Sequence, residues 1–217
     1  MTRLVVAFTL IVCAASVARA DDVFIPEWWQ QEQPGAIYQE WDHWGGFPGP
    51  MLPDFGGQFP PPGQAPVGPG TAHALPGTNF FPEHLGRTDV VQVGGPDGLY
   101  FDLPNYDIND IKYVQVQITY WTGFQQRPIG FNVWLSPTAP PQFIPAQLWA
   151  TTGPDPMGWQ TDAYRFTIVP NPIWERIGLK FSDYPVYVDQ VVIDTWCVPE
   201  PATLALLAVA TLGLRRR

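Results

Sequence analysis

The side chains of this sequence that could do chemistry are clustered carboxylates, a few histidines and many indoles. Asp102, Asp107 and Asp110 lie close together. A glycoside hydrolase needs two carboxyl groups held about 5–10 Å apart across a cleft, and nothing in this spacing marks two of them as a pair; the group reads as a solvated acidic turn. Asp107-x-Asn109-Asp110 offers oxygen ligands on a loop, as a hard cation requires, but lacks the glycine and bidentate glutamate of an EF-hand. His43, His73 and His84 are scattered, and there is no His-x-x-x-His pair or cysteine cluster. Neither a zinc site nor any other metal or cofactor is implied. The chain has only three serines, Ser16, Ser136 and Ser182, and no Gly-x-Ser-x-Gly elbow, which argues against a serine hydrolase. The expectation is a protein without catalytic residues.

The indoles are the sharper signal. Trp28, Trp29, Trp41 and Trp44, with Tyr38 and Phe47, crowd the segment 21–47. Exposed in a row, they would stack on the C–H faces of sugar rings, which makes these four tryptophans the candidate glycan-binding residues. Buried, they would cap a hydrophobic core, each removing a large apolar area from water.

Both ends of the chain carry an address. At the start, Thr2-Arg3 precedes an apolar run from Leu4 to Val17 and the small-x-small triplet Ala18-Arg19-Ala20. That is the pattern of a secretory signal peptide over 1–20, its apolar part helical, with the mature chain beginning at Asp21. At the other end, Pro199-Glu200-Pro201 is followed by the apolar run Ala202 to Leu214 and then Arg215, Arg216 and Arg217. The prolines cannot continue a helix outward, and the arginines tend to stay on the cytoplasmic side of a membrane. A helix over that apolar run is about 20 Å long, against a hydrocarbon core of about 30 Å, so the segment reads as a transient anchor.

In order and composition, residues 198–217 closely resemble the PEP-CTERM sorting signal of bacterial exported proteins. The resemblance implies that the chain is held transiently at the inner membrane until an exosortase cleaves near Pro199-Glu200-Pro201. It then implies a place at the cell surface or in the extracellular matrix. It supplies an address and leaves the activity open.

Without its two ends the chain changes character. Of 11 basic and 20 acidic residues, the ends hold five basic and one acidic. The body therefore keeps six against nineteen, a net charge of −13. Such a surface repels nucleic acid, whose binding needs basic patches. Neutral glycans, cationic groups and divalent cations fit it better. Cys13 goes with the signal peptide, so Cys197 has no second cysteine with which to form an intramolecular disulfide, and packing must supply the stability. Cys197 is expected to be buried at the end of a last strand.

The elements that must position these residues are short strands. Lys112 to Trp121 sets Val114, Val116, Ile118 and Tyr120 against Gln115, Gln117 and Thr119, the period-2 alternation of a half-buried strand. Similar runs occupy 90–93, 99–103, 129–135, 143–150, 164–168 and 176–181, and a longer one, bulged near Asp189-Gln190, occupies 186–195. Turn residues such as Gly94-Gly95-Pro96-Asp97-Gly98 separate them. The stretch 45–70 holds eight prolines and eight glycines and reads as irregular or polyproline-like.

The division that follows is a signal peptide over 1–20, a Trp-rich segment over 21–47 and an irregular Pro/Gly-rich segment over 48–88. A β-sandwich over 89–197 and the sorting signal over 198–217 complete it. The fold expected is all-β, a single antiparallel sandwich of jelly-roll type, flanked by the signal helix and a short hydrophobic C-terminal helix. It looks like the galactose-binding-like sandwiches of secreted carbohydrate-binding modules.

Three functions fit this reading. The first is a non-enzymatic exported protein of the cell envelope or exopolysaccharide matrix, with the exosortase and the inner membrane as transient partners. The second is a carbohydrate-binding module that takes extracellular polysaccharide on exposed aromatics. The third is a secreted glycoside hydrolase with an unmarked carboxylate pair.

Overall fold

A computed structural model describes residues 23–26, 31–46, 49–94, 98–106, 111–123, 127–181 and 185–198. The signal peptide, Trp28, Trp29, Asp107, Asn109 and Asp110 lie outside these residues, as does the tail with Pro199, Glu200, Pro201, Arg215, Arg216 and Arg217.

The described chain is all-β, with two antiparallel sheets facing each other across one core. The strands are β1 Ala36–Trp41, β2 Phe55–Phe59, β3 Thr71–Ala74, β4 Asn79–His84, β5 Arg87–Val93, β6 Leu99–Pro104 and β7 Ile111–Trp121. They continue with β8 Pro128–Trp134, β9 Gln142–Pro145, β10 Leu148–Thr151, β11 Trp159–Ile168, β12 Trp174–Phe181 and β13 Val186–Val198. The large sheet has eight strands, in the order β10-β11-β7-β13-β1-β2, with the β4–β5 hairpin added to β13 through β5. The small sheet has five, in the order β3-β6-β12-β8-β9.

Strand pairing follows the side-chain period. Val114, Val116, Ile118 and Tyr120 of β7 are fully buried. They meet Val188, Val191 and Ile193 of β13 on one side, and Tyr164 of β11 is paired with Val116 on the other. From the small sheet, Leu99, Phe101, Leu103, Phe131, Val133, Ile177 and Leu179 close the core. The expected irregularity in the last strand is present as a register shift between Val188 and Gln190. The run expected over 143–150 divides into β9 and β10, which belong to different sheets.

The expected division of the chain and the expected exposure of its indoles are both corrected. The sandwich does not begin at residue 89: β1 lies between β13 and β2 in the large sheet, and all six of its residues are buried. The segment 48–88, expected to be irregular, contributes β2, β3 and β4. Glycines and prolines hid these strands because they are edge elements. Among the described residues β2 pairs only with β1, in a register that includes Gly56 and Gly57, and β4 carries Pro82 while pairing only with β5. An edge strand tolerates a residue without an N–H on its open side.

The second correction concerns the indoles. Trp41 and Trp44 are both 0% exposed, so neither has a face for a sugar. Trp41 sits opposite Val191, on the pleat side that points into the core, and its ring lies 4.8 Å from that of Phe101. Each indole N–H finds a carbonyl, Trp41 at Met51 (3.3 Å) and Trp44 at Asp189 (2.6 Å), as a buried indole requires.

Candidate functional site: the outer face of the small sheet

Each sheet has a second face, turned away from the core. On the small sheet this face is built from alternate residues of β3, β6, β12, β8 and β9. The register brings them into cross-strand rows. One row runs Thr71, Asp102, Arg176, Trp134. Its neighbour runs His73, Tyr100, Gly178, Asn132, Phe143. A third position pairs Pro104 with Trp174. Tyr100, Trp134 and Trp174 are half-buried and Phe143 is 50% exposed.

The rings lie down on the sheet because glycines leave room for them. A Cβ on Gly178 would stand 3.1 Å from the Trp134 ring, and one on Gly130 would stand 2.5 Å from the Phe143 ring. A larger residue at either place would displace the ring, so the glycines on this face fix ring orientation.

Charge is threaded between the rings. Arg176 makes a bidentate pair with Asp102, its Nε donating to Oδ1 at 2.7 Å and its second terminal nitrogen to Oδ2 at 2.9 Å. The same guanidinium lies over the Tyr100 ring at 4.1 Å and the Trp174 ring at 5.5 Å, within cation–π range. The Asp102 carboxylate holds the Arg176 pKa further above its usual value. His73 stacks on Tyr100 with ring centroids 4.8 Å apart, its Nε2 3.1 Å from Asp102 and 2.9 Å from the Thr71 hydroxyl. At one end of the face a groove of about 430 Å³ opens between Val67, Pro69, Thr71, Asp102, Ile173 and Trp174, within the size range of small-molecule sites. Chemically the arrangement offers flat apolar rings for stacking and fixed polar groups for hydroxyls. The carboxylate in the groove is already committed to its arginine.

The large sheet treats its outer face differently. Gln115, Gln117, Thr119, Thr161, Gln190 and Asp194 lie there and are buried. The chain before β1 contacts three of them: the Phe24 N–H donates to Gln117 Oε1 at 2.9 Å, and Gln115 Nε2 donates to the Phe24 carbonyl at 2.5 Å. Gln31 Nε2 donates to Asp194 Oδ1 at 2.9 Å.

A second cluster joins Asp42, His43 and Asp54, whose ligand atoms all lie within 4.8 Å of one another. Strand pairing of β1 with β2 brings Asp54 to His43, a meeting that a scattered histidine in the sequence does not announce. Asp54 Oδ2 already accepts from the backbone N–H groups of Asp42 and His43, and the cluster is largely exposed. His84 is half-buried and stacks on Tyr187 at 3.9 Å.

None of the face residues Tyr100, Trp134, Phe143, Trp174 and Arg176 was singled out from sequence. The signal was present in the alternation of Tyr100 and Asp102 with Leu99, Phe101 and Leu103, and of Trp174 and Arg176 with Glu175, Ile177 and Leu179. It names one face of each strand, and only the register shows that these faces form a single surface.

Comparison with known proteins yields two findings about the whole chain and its end. Residues 198–217 match the PEP-CTERM protein-sorting motif. That motif implies an exported protein, held transiently at the membrane and recognised by an exosortase. Among solved structures, the native structure of a family 35 carbohydrate binding module from Clostridium thermocellum is similar over 57% of this chain and 90% of that one, at 12% identity and a TM-score of 0.34. A TM-score of that size carries no argument about ligand. No curated protein matches the chain.

Proposed function

We propose that this chain, exported under its PEP-CTERM motif, is a non-enzymatic protein of the extracellular matrix that attaches to neutral polysaccharide through the outer face of its small sheet. The supporting observation is the joined surface of Tyr100, Trp134, Trp174 and Phe143 around the Arg176–Asp102 pair. Aromatic rings lying flat and partly open suit the C–H faces of sugars. The charged groups between them are held by one another and so are oriented in advance for hydroxyl groups. The acidic body disfavours polyanions and leaves neutral glycans as the natural partner. Binding is favoured over hydrolysis because the groove carboxylate, Asp102, is neutralised by a bidentate arginine. A general acid instead needs a raised pKa and a second carboxylate across the cleft.

Purified mature protein titrated with the producing organism's own extracellular polysaccharide should show saturable quenching or a blue shift of tryptophan fluorescence. The signal should be lost with Trp134→Ala and Trp174→Ala. A folded protein that gives no change with that polysaccharide would leave it as a passenger of the sorting system without this ligand.

A further inference from the structure

At one end of the sandwich the core is not apolar. Lys112 of β7 and Glu175 of β12 point inward from opposite sheets, both 0% exposed. The Lys112 ammonium is bound to Glu175 Oε1. Asn105, just past the end of β6 and 6% exposed, donates from Nδ2 to the other oxygen of the same carboxyl, Glu175 Oε2, at 3.1 Å. The same Nδ2 also donates to Asn171 Oδ1 at 2.6 Å and to the Pro172 carbonyl. The amide's other atom, Asn105 Oδ1, accepts from the thiol of buried Cys197 at 3.1 Å. Ile37 and Tyr106 close the cluster.

As a mere ion pair this arrangement is costly. Removing two charges from water takes several kcal/mol per ion, and pairing seldom returns more than that. What the geometry does offer is an acyl-transfer site. One carboxyl bridges a primary amine and a primary amide, so nucleophile and leaving group share a single proton shuttle. Burial pushes the Glu175 carboxyl up, the ordinary consequence of desolvation. Burial likewise raises the Cys197 thiol, so it stays protonated and donates to the amide oxygen on which charge would develop.

We propose that Lys112 and Asn105 become joined by an intramolecular isopeptide bond, formed with Glu175 as the proton shuttle. Lys112 Nζ, as the neutral amine, attacks Asn105 Cγ, and its proton passes to Glu175 Oε1. The Nζ–Cγ bond forms and the Cγ–Nδ2 bond breaks. Glu175 returns a proton to the departing nitrogen, which leaves as ammonia. Atoms and charge balance, no electrons are exchanged, and no co-reactant is needed. The product ties the end of β6 in the small sheet to the start of β7 in the large one. That junction adjoins Cys197 and Val198, where β13 ends and the sorting motif begins.

The test is mass spectrometry of the full chain after denaturation and cleavage on the N-terminal side of aspartate. Asp107 and Asp110 separate Asn105 from Lys112, so an unlinked chain gives residues 102–106 and 110–154 as two peptides. The proposal expects them as one species, lighter than their sum by the mass of one ammonia. Glu175→Gln should give the two separate peptides. Two separate peptides of unaltered mass from the folded wild-type chain would overturn the proposal. So would a species lighter by one water that joins Lys112 to Glu175. The wild-type readout stands even if the variant fails to fold.

Discussion

The two sheets of this sandwich share one core and treat their outer faces in opposite ways. The large sheet buries glutamines, threonines and Asp194 on its outer face, and the chain around Phe24 and Gln31 bonds to Gln115, Gln117 and Asp194. The small sheet carries Tyr100, Trp134, Trp174 and Phe143 and leaves Phe143 exposed and the other three rings half-buried. Hydrophobicity alone would predict the reverse. Polar groups can be buried at little net cost when hydrogen-bonded, as Gln115 and Gln117 are to the Phe24 backbone. Open aromatics beside a charged pair have no such structural excuse, and exposed apolar surface of that kind marks interaction sites. The difference teaches that the covered face is architecture, and it is the ground for the proposal that the other face takes the partner.

The comparison breaks most visibly at a core indole. Trp41→Ala should cost about 3–5 kcal/mol of stability in urea unfolding. Trp134→Ala on the open face should cost less than about 1 kcal/mol. Equal losses would mean that the two indoles are buried alike.

Next comes the cover of the large sheet. Gln117→Leu removes the acceptor of the Phe24 N–H, a loss of about 1–3 kcal/mol where the group stays buried. Deuterium uptake over residues 23–26 should rise while polysaccharide binding stays unchanged. A gain in binding would move the functional face to the large sheet.

On the open face, Asp102→Asn breaks the pair with Arg176. The pair is partly exposed, so stability should fall by less than about 1 kcal/mol. Binding should weaken by about tenfold, or ~1.4 kcal/mol, because Arg176 would no longer be held between Tyr100 and Trp174. Isothermal titration and unfolding of the same variant separate the two effects.

The smallest effect is one of pH. Burial lowers the His84 pKa below its ordinary 6.5, so the unfolded chain takes up a proton before the folded one does. Stability should therefore decline as pH falls through 6.5 and level off once the folded-state value is passed. His84→Phe, which keeps a ring against Tyr187, should flatten the decline in melting temperature.

Much of this was legible in the sequence. The alternation from Lys112 to Trp121 became the long central strand β7, and the disturbance near Asp189-Gln190 became a register shift. The motif at 198–217 was readable from three features in order: the proline-flanked glutamate, the apolar run and the arginines. What stayed hidden was set by partners distant in the chain. Gly56-Gly57 and Pro82 look like breakers and are strands only because β1 and β5 supply their hydrogen bonds. Density of tryptophan pointed to Trp41 and Trp44 among others, yet Trp41 lies on the pleat side facing the opposite sheet, and Trp44, past the end of β1, packs into the same core. Asp102 and Arg176 are 74 residues apart and meet only through the β6–β12 register.

The most direct test of the central claim compares wild-type protein with Trp174→Ala and Trp134→Ala in a titration with the organism's extracellular polysaccharide, each shown to be folded. The account predicts saturable binding by the wild type and a loss of about tenfold or more in each variant, the size expected of an aromatic anchor. Unchanged affinity in both variants would contradict it and leave the open aromatic face without the role assigned to it.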